Sequence, residues 1–155
     1  ARMKILVSAC LLGENCKYNG GNNRNEDVLK FIDGRSYVAV CPETAGGLES
    51  PRPPAEQVLA EDGLKVINSE GKDLSFEFDA GASKTLCDAL EHAFLSGEKL
   101  EGAILKANSP SCGVGKVYDG TFSGTLVEGN GVFTAKLIEM GVPVYTENNF
   151  KEYLK

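Results

Sequence analysis

Lys4-Ile5-Leu6-Val7-Ser8-Ala9-Cys10 is the stretch on which the fold turns. Lys4 to Ser8 is a short, mostly apolar run rich in β-formers, which reads as a buried strand. It stops at Leu12 to Asn25, a segment dense in Gly and Asn that reads as loop. Three later runs repeat the pattern: Tyr37 to Cys41, ended by Pro42, then Gly102 to Lys106, then Val142 to Tyr145. Helices are predicted over Asp27 to Ile32, Ala80 to Leu95, Gly131 to Met140 and Asn148 to Leu154, the first three stopped by Gly34, Gly97 and Gly141. Strands alternating with helices predict a three-layer, Rossmann-like α/β fold, with a mainly parallel sheet and helices on both faces. Between them, Thr44 to Pro54 carries paired Gly and three Pro and reads as irregular. Leu64 to Asn68 and Leu74 to Phe78 flank Ser69-Glu70-Gly71-Lys72, which predicts a small irregular or hairpin insertion. Asp119 to Gly131 reads as a glycine-heavy loop.

No repeat, low-complexity tract or linker divides the chain, so residues 3–155 read as one α/β domain. Ala1-Arg2 reads as a remnant of expression ahead of a natural start at Met3. The 155 residues suffice for one hydrophobic core, and 42% hydrophobic with 25% charged residues is an ordinary globular composition. A net charge of −6 argues against polynucleotide or membrane-surface partners. No apolar run approaches a transmembrane helix, and the N-terminus lacks the pattern of a secretory signal, so the expected location is cytoplasmic. No feature dictates an oligomeric state.

The five cysteines are the unusual feature. A reducing compartment disfavours disulfides, and an odd count cannot pair completely. Cys10 lies just beyond the first predicted strand, Cys41 closes the second and Cys112 sits in the turn after the third. In a parallel sheet all carboxyl ends share one edge, and ligands bind in the crevice outside it. The three thiols are therefore expected to converge. Cys16, in the loop after Cys10, is either a fourth ligand at that edge or a loop residue without a role. Cys87 is spaced with Ser83, Leu86, Leu90 and Phe94 as part of a buried helical stripe. His92, the single histidine, reads as a surface or capping residue, which leaves a histidine-based site little support.

Converging thiolates favour zinc or an iron–sulfur cluster over hard cations. Structural zinc usually takes paired Cys-x-x-Cys knuckles, and here the thiols are scattered singly. The absence of that motif also weakens a redox dithiol reading. A cluster held by three cysteines leaves one iron open to substrate. Glu43, two residues past Cys41, is a candidate acid–base group; alternatively it caps a helix or pairs with Lys17 or Arg52. Ser109 and Ser111 bring hydroxyls close to Cys112, although Ser-Pro-Ser is also a plain turn.

These residues resemble a known family. Ser8-Ala9-Cys10-Leu11-Leu12-Gly13 with Cys16-Lys17-Tyr18-Asn19-Gly20, Cys41-Pro42-Glu43, Gly46-Gly47-Leu48, Pro51-Arg52-Pro53-Pro54 and Ser109-Pro110-Ser111-Cys112-Gly113 resemble the thiouracil desulfidases. Tyr118 to Phe122 and Gly129 to Val132 fit the same pattern, so the resemblance spans nearly the whole chain. It implies a 4Fe-4S cluster held by Cys10, Cys41 and Cys112 and lost in air. Its open iron would take sulfur from a small thiolated base or nucleoside such as thiouracil, and water would supply the replacing oxygen without net electron transfer. Glu43 would handle protons, Ser109 would assist at the substrate or the attacking water, and Ser111 is its alternative as a substrate-binding hydroxyl. The family pattern does not require Cys16, and Lys17 and Asn19 stand where Arg and Asp are typical. The competing expectations are a non-catalytic thiolate module that binds zinc or carries sulfur and, behind it, a thiol-based redox protein.

Overall fold

The run from Lys4 to Ser8 lies inside β1 (Arg2–Ser8) of a computed structural model that describes residues 2–154. Ala1, half of the expected remnant, and Lys155 fall outside the described residues. A single 3-10 turn (Ala9–Leu12) follows β1, then α1 (Glu26–Ile32), whose first turn is capped by Asn25 Oδ1 accepting from the Val28 amide. Next come β2 (Tyr37–Val40), α2 (Pro42–Ala45), and the hairpin of β3 (Ala55–Ala60) and β4 (Gly63–Asn68). The long α3 (Ser75–Leu95) leads to β5 (Glu98–Leu105). A small ladder of β6 (Lys116–Tyr118) and β7 (Leu126–Glu128) precedes α4 (Val132–Glu139), β8 (Val144–Thr146) and α5 (Phe150–Tyr153).

The main sheet has the order β2-β1-β5-β8, with every pair parallel. Ile5, Leu6 and Val7 are all buried because β1 is covered on both faces, which is why its sequence is apolar without alternation. Leu6 faces one core with Ala103, Leu105 and residues of α3 and α4 (Ala82, Ala89, Phe133, Leu137). Ile5 and Val7 face the other, with Ile104, Leu11, Val28, Ile32 and Phe150. Helices thus cover both faces, as the alternation of strands and helices predicts. Because the chain leaves β1 toward β2 and later places β5 on its other side, the strand order reverses between β1 and β5. That reversal opens a crevice at the carboxyl edge.

Four expectations need correction. The insertion is a hairpin, but its strands are β3 and β4; Ser75 to Phe78 already belong to α3. Thr44 and Ala45 are helical in α2, because Pro42 at a first helical position pre-sets the backbone for it. Leu126 to Glu128 form a strand inside the expected loop. Cys87 is exposed, as are Leu90 and Phe94. The face of α3 that packs carries Phe78 and then mostly small residues (Gly81, Ala82, Thr85, Ala89, Ala93), and it lies beside the expected stripe.

Candidate active site

Cys10, Cys41 and Cys112 each follow a different parallel strand, and all three line one cavity of about 620 Å³ at the carboxyl edge. Cys16 lines it too, while Cys87 lies away from it on α3. Cys10 sits in the 3-10 turn, its carbonyl accepting from the Gly13 and Asn23 amides at 3.2 and 2.9 Å. Cys41 caps α2. Cys112 is buried in the loop after β5, where the Phe133 amide donates to the Ser111 carbonyl at 2.9 Å.

The position of α2 rests on two glycines. A Cβ on Gly81 of α3 would lie 2.0 Å from the Pro42 carbonyl oxygen, and one on Gly46 would lie 2.2 Å from that of Glu77. Side chains at either place would drive α2 off α3, and with it Cys41 and Glu43.

Each of the three strand-end sulfurs has a hydrogen-bond donor. Asn23 Nδ2 donates to Cys10 Sγ at 3.5 Å and Thr44 Oγ1 to Cys41 Sγ at 3.1 Å, and the Ser8 hydroxyl serves Cys112. Ser111 Oγ lies 3.7 Å from Cys112 Sγ but gives its single proton to Glu43. Burial pushes the Cys112 thiol up to about 12, and burial also raises Cys10 against the opposing pull of Asn23. Cys41 goes the other way, down to about 6, because the Cys16 thiol donates to it and Thr44 adds a second donor. The thiol of Cys16 is correspondingly raised.

Glu43 is held at both oxygens. Arg52 donates to Oε1 through Nη2 at 2.9 Å and Nε at 3.3 Å, and Ser111 Oγ donates to Oε2 at 2.8 Å. Of the partners foreseen for Glu43, Arg52 is the one present. It also donates to the carbonyls of Glu49 and Cys16, so one guanidinium ties the carboxylate to the Cys16 loop. Ser109 stands one step further back: its Oγ accepts from the Cys112 amide at 2.7 Å and lies 3.3 Å from Ser111 Oγ.

Arg52, Glu56, Tyr18, Asn23 and Phe122 also line the cavity, and residue-type reasoning did not single them out as site residues. The sequence points to Arg52 only as a partner of Glu43 and, with Tyr18 and Phe122, as part of the family-like motifs. Among the described residues, no group of three or more His, Cys, Asp or Glu is arranged to hold one metal ion. The donors are soft thiols distributed around a roomy cavity, each strand-end sulfur with a hydrogen bond. That set suits a polynuclear iron–sulfur group better than a lone ion.

The profile of the 2-thiouracil desulfurase family matches residues 5–149. An uncharacterised protein of Bacillus subtilis (strain 168), YbbK, is 41% identical over 97% of this chain and 99% of its own length. A solved structure of the 4Fe-4S-dependent thiouracil desulfidase TudS superposes with a TM-score of 0.81 at 40% identity, covering 97% of this chain and 95% of that one. The resemblance stated from the motifs is thus borne out along nearly the whole length, and so is the fold. With a matching profile from the first strand almost to the last helix, the chain belongs to the 2-thiouracil desulfurase family.

Proposed function

We propose that the protein is an iron–sulfur-cluster-dependent desulfidase that converts a small thiolated compound such as thiouracil to its oxo counterpart. The observation that carries this reading is the meeting of Cys10, Cys41 and Cys112 with Glu43 in one cavity at the switch point of the sheet. The name of TudS and the family profile support the substrate class and the cofactor. The balance is C=S plus water to C=O plus hydrogen sulfide, so no electrons enter or leave. Cys10, Cys41 and Cys112 would hold a 4Fe-4S cluster, which supplies an open iron as a Lewis acid for the substrate's sulfur.

The rest falls to the chain. Glu43 accepts a proton from the attacking water at Oε2 and returns it to the departing sulfur. Arg52 fixes that carboxylate through Oε1, and Ser111 orients it from the other side. Ser109 supports Ser111 and fixes the Cys112 backbone, a role further from the reacting atoms than the motif alone implies. Pro54 and Ala55 give part of the cavity wall an apolar lining, which limits water near the sulfur.

The thiol–thiol contact of Cys16 with Cys41 favours a second reading, a four-thiolate metal or sulfur-binding module without catalysis. Anaerobic reconstitution followed by a sulfide-release assay separates the two. Desulfuration predicts brown protein with about four irons per chain and one sulfide per uracil formed. The module predicts bound metal, dependence on Cys16 and no sulfide; colourless protein contradicts the first reading outright.

A further inference from the structure

Phe122 has a φ of +56°, in the left-handed region that a large side chain enters only when its surroundings force it. The other such non-glycine residue among the described ones, Asn108, is of a type that tolerates this conformation. The force on Phe122 is identifiable. Glu56 on β3 is 8% exposed, and its Oε1 accepts from the Gly120 amide at 3.0 Å and from the Phe122 amide at 3.1 Å. Gly120, with φ +95°, lies flush against β3: a Cβ there would stand 2.8 Å from the Gln57 carbonyl oxygen. Asp119 closes the turn from the other side, its Oδ1 accepting from the Thr121 amide at 2.9 Å.

A strained backbone that seats a ring in the core would be ordinary packing. Here the ring is not in the core. Phe122 belongs to none of the three core clusters, is 39% exposed and lines the cavity that holds the cysteines. A buried carboxylate and a strained residue are thus both used to hold an aromatic side chain at the wall of the cavity that the thiols line.

We propose that Phe122 is the platform on which the planar ring of the thiolated substrate stacks, and that Glu56 is the positioning residue that holds it there. The proposal rests on the desulfuration reading and adds the basis of its specificity: preference for a flat conjugated thiocarbonyl ring over an aliphatic one. Stacking acts on the bound ring and not on the proton transfer, so its loss falls mainly on KM.

The test uses reconstituted holoenzyme with 2-thiouracil and compares Phe122→Leu, Phe122→Tyr and Glu56→Gln with wild type. Leucine keeps the bulk and removes the π-face, so KM is expected to rise about tenfold, more than kcat changes. Tyrosine restores KM to near the wild-type value. Glu56→Gln keeps one acceptor oxygen but loses its charge, so it weakens both bonds to the loop and raises KM in the same direction by less. A KM within twofold of wild type for Phe122→Leu, or a loss confined to kcat, overturns the proposal. If wild type releases no sulfide, the desulfuration reading fails separately. Calorimetric binding of 2-thiouracil to the same variants then decides the stacking proposal by the same ratio.

Discussion

At the amino edge of the sheet, Lys4 and Glu98 lie almost wholly out of water, with side-chain exposures of 4% and 5%, and each charge is answered. Lys4 Nζ meets Glu98 Oε1 at 3.0 Å and donates to Ser36 Oγ at 2.9 Å, while Ser36 donates to the same carboxylate at 2.8 Å. At the carboxyl edge four thiols line a cavity, two of them pushed above their ordinary range by burial. One edge closes its charges on one another; the other gathers hydrogen-bonded thiols and a clamped carboxylate around an open cavity. Titratable groups with shifted protonation that face a cavity mark a site, and charges sealed against each other mark structure.

The largest effect that could break this contrast is at the thiols. Serine at Cys10, Cys41 or Cys112 should abolish the iron content and brown colour of reconstituted protein, whereas Cys16→Ser should keep both, as read by iron and sulfide analysis. Equal loss in all four variants would make Cys16 a full ligand and favour the module reading.

Next in size is the carboxylate clamp. Glu43→Gln should lower kcat about a hundredfold with iron retained. Arg52→Leu should do nearly as much while also costing about 3 kcal/mol of stability, because it strips a mostly buried carboxylate of its cation. Chemical denaturation alongside sulfide release separates the two contributions. An Arg52→Leu protein with wild-type kcat would show that the ion pair only holds the fold.

The Gly81→Ala variant sharpens the dependence of the site on packing behind it. Its Cβ meets backbone at 2.0 Å, so α2 must shift at a cost of about 1–3 kcal/mol. Impaired cluster loading should accompany the lower thermal midpoint, since Cys41 moves with α2. A lower midpoint with full loading would uncouple the two.

The smallest effect lies at the amino edge. Hydrogen bonds from Ser36 and Lys4 hold the Glu98 carboxyl down at about 2 against an ordinary 4.5. A depressed acid stabilises the fold fully above its unfolded value and loses that contribution as the pH falls toward the folded one. Wild type should therefore exceed Glu98→Gln in stability above pH 4.5, with the gap closing between 4.5 and about 2 in acid titrations followed by circular dichroism. Activity at neutral pH should barely change, and a large loss would mean the two edges are coupled.

How much of this was legible without coordinates follows the same division. The parallel sheet could be read because its strands are short apolar runs buried on both faces, and the meeting of Cys10, Cys41 and Cys112 follows from strand ends alone. What could not be read depends on approach through space. The packing face of α3 past Phe78 is mostly small residues (Gly81, Ala82, Thr85, Ala89, Ala93), so the apolar spacing of Leu90, Phe94 and Cys87 points to a neighbouring, exposed stripe. Of the expected hairpin, Leu64 to Asn68 is β4, but the β3 arm hides because Leu59, paired with Leu64 on the open side, breaks its alternation. The pairing of Glu43 with Arg52 was among the expected ones, but Glu56 acts on amides 64 and 66 residues away, and no spacing rule connects an acid on β3 to the amide of Phe122.

The central claim is that water replaces sulfur at a centre held by the three strand-end cysteines, without redox chemistry. Anaerobically reconstituted protein given 2-thiouracil in oxygen-18 water, with no reductant or oxidant added, tests it most directly by mass spectrometry of the product. The account predicts uracil carrying one oxygen-18 together with an equal amount of sulfide. Unlabelled uracil, or sulfide that forms only when a reductant is supplied, would contradict it.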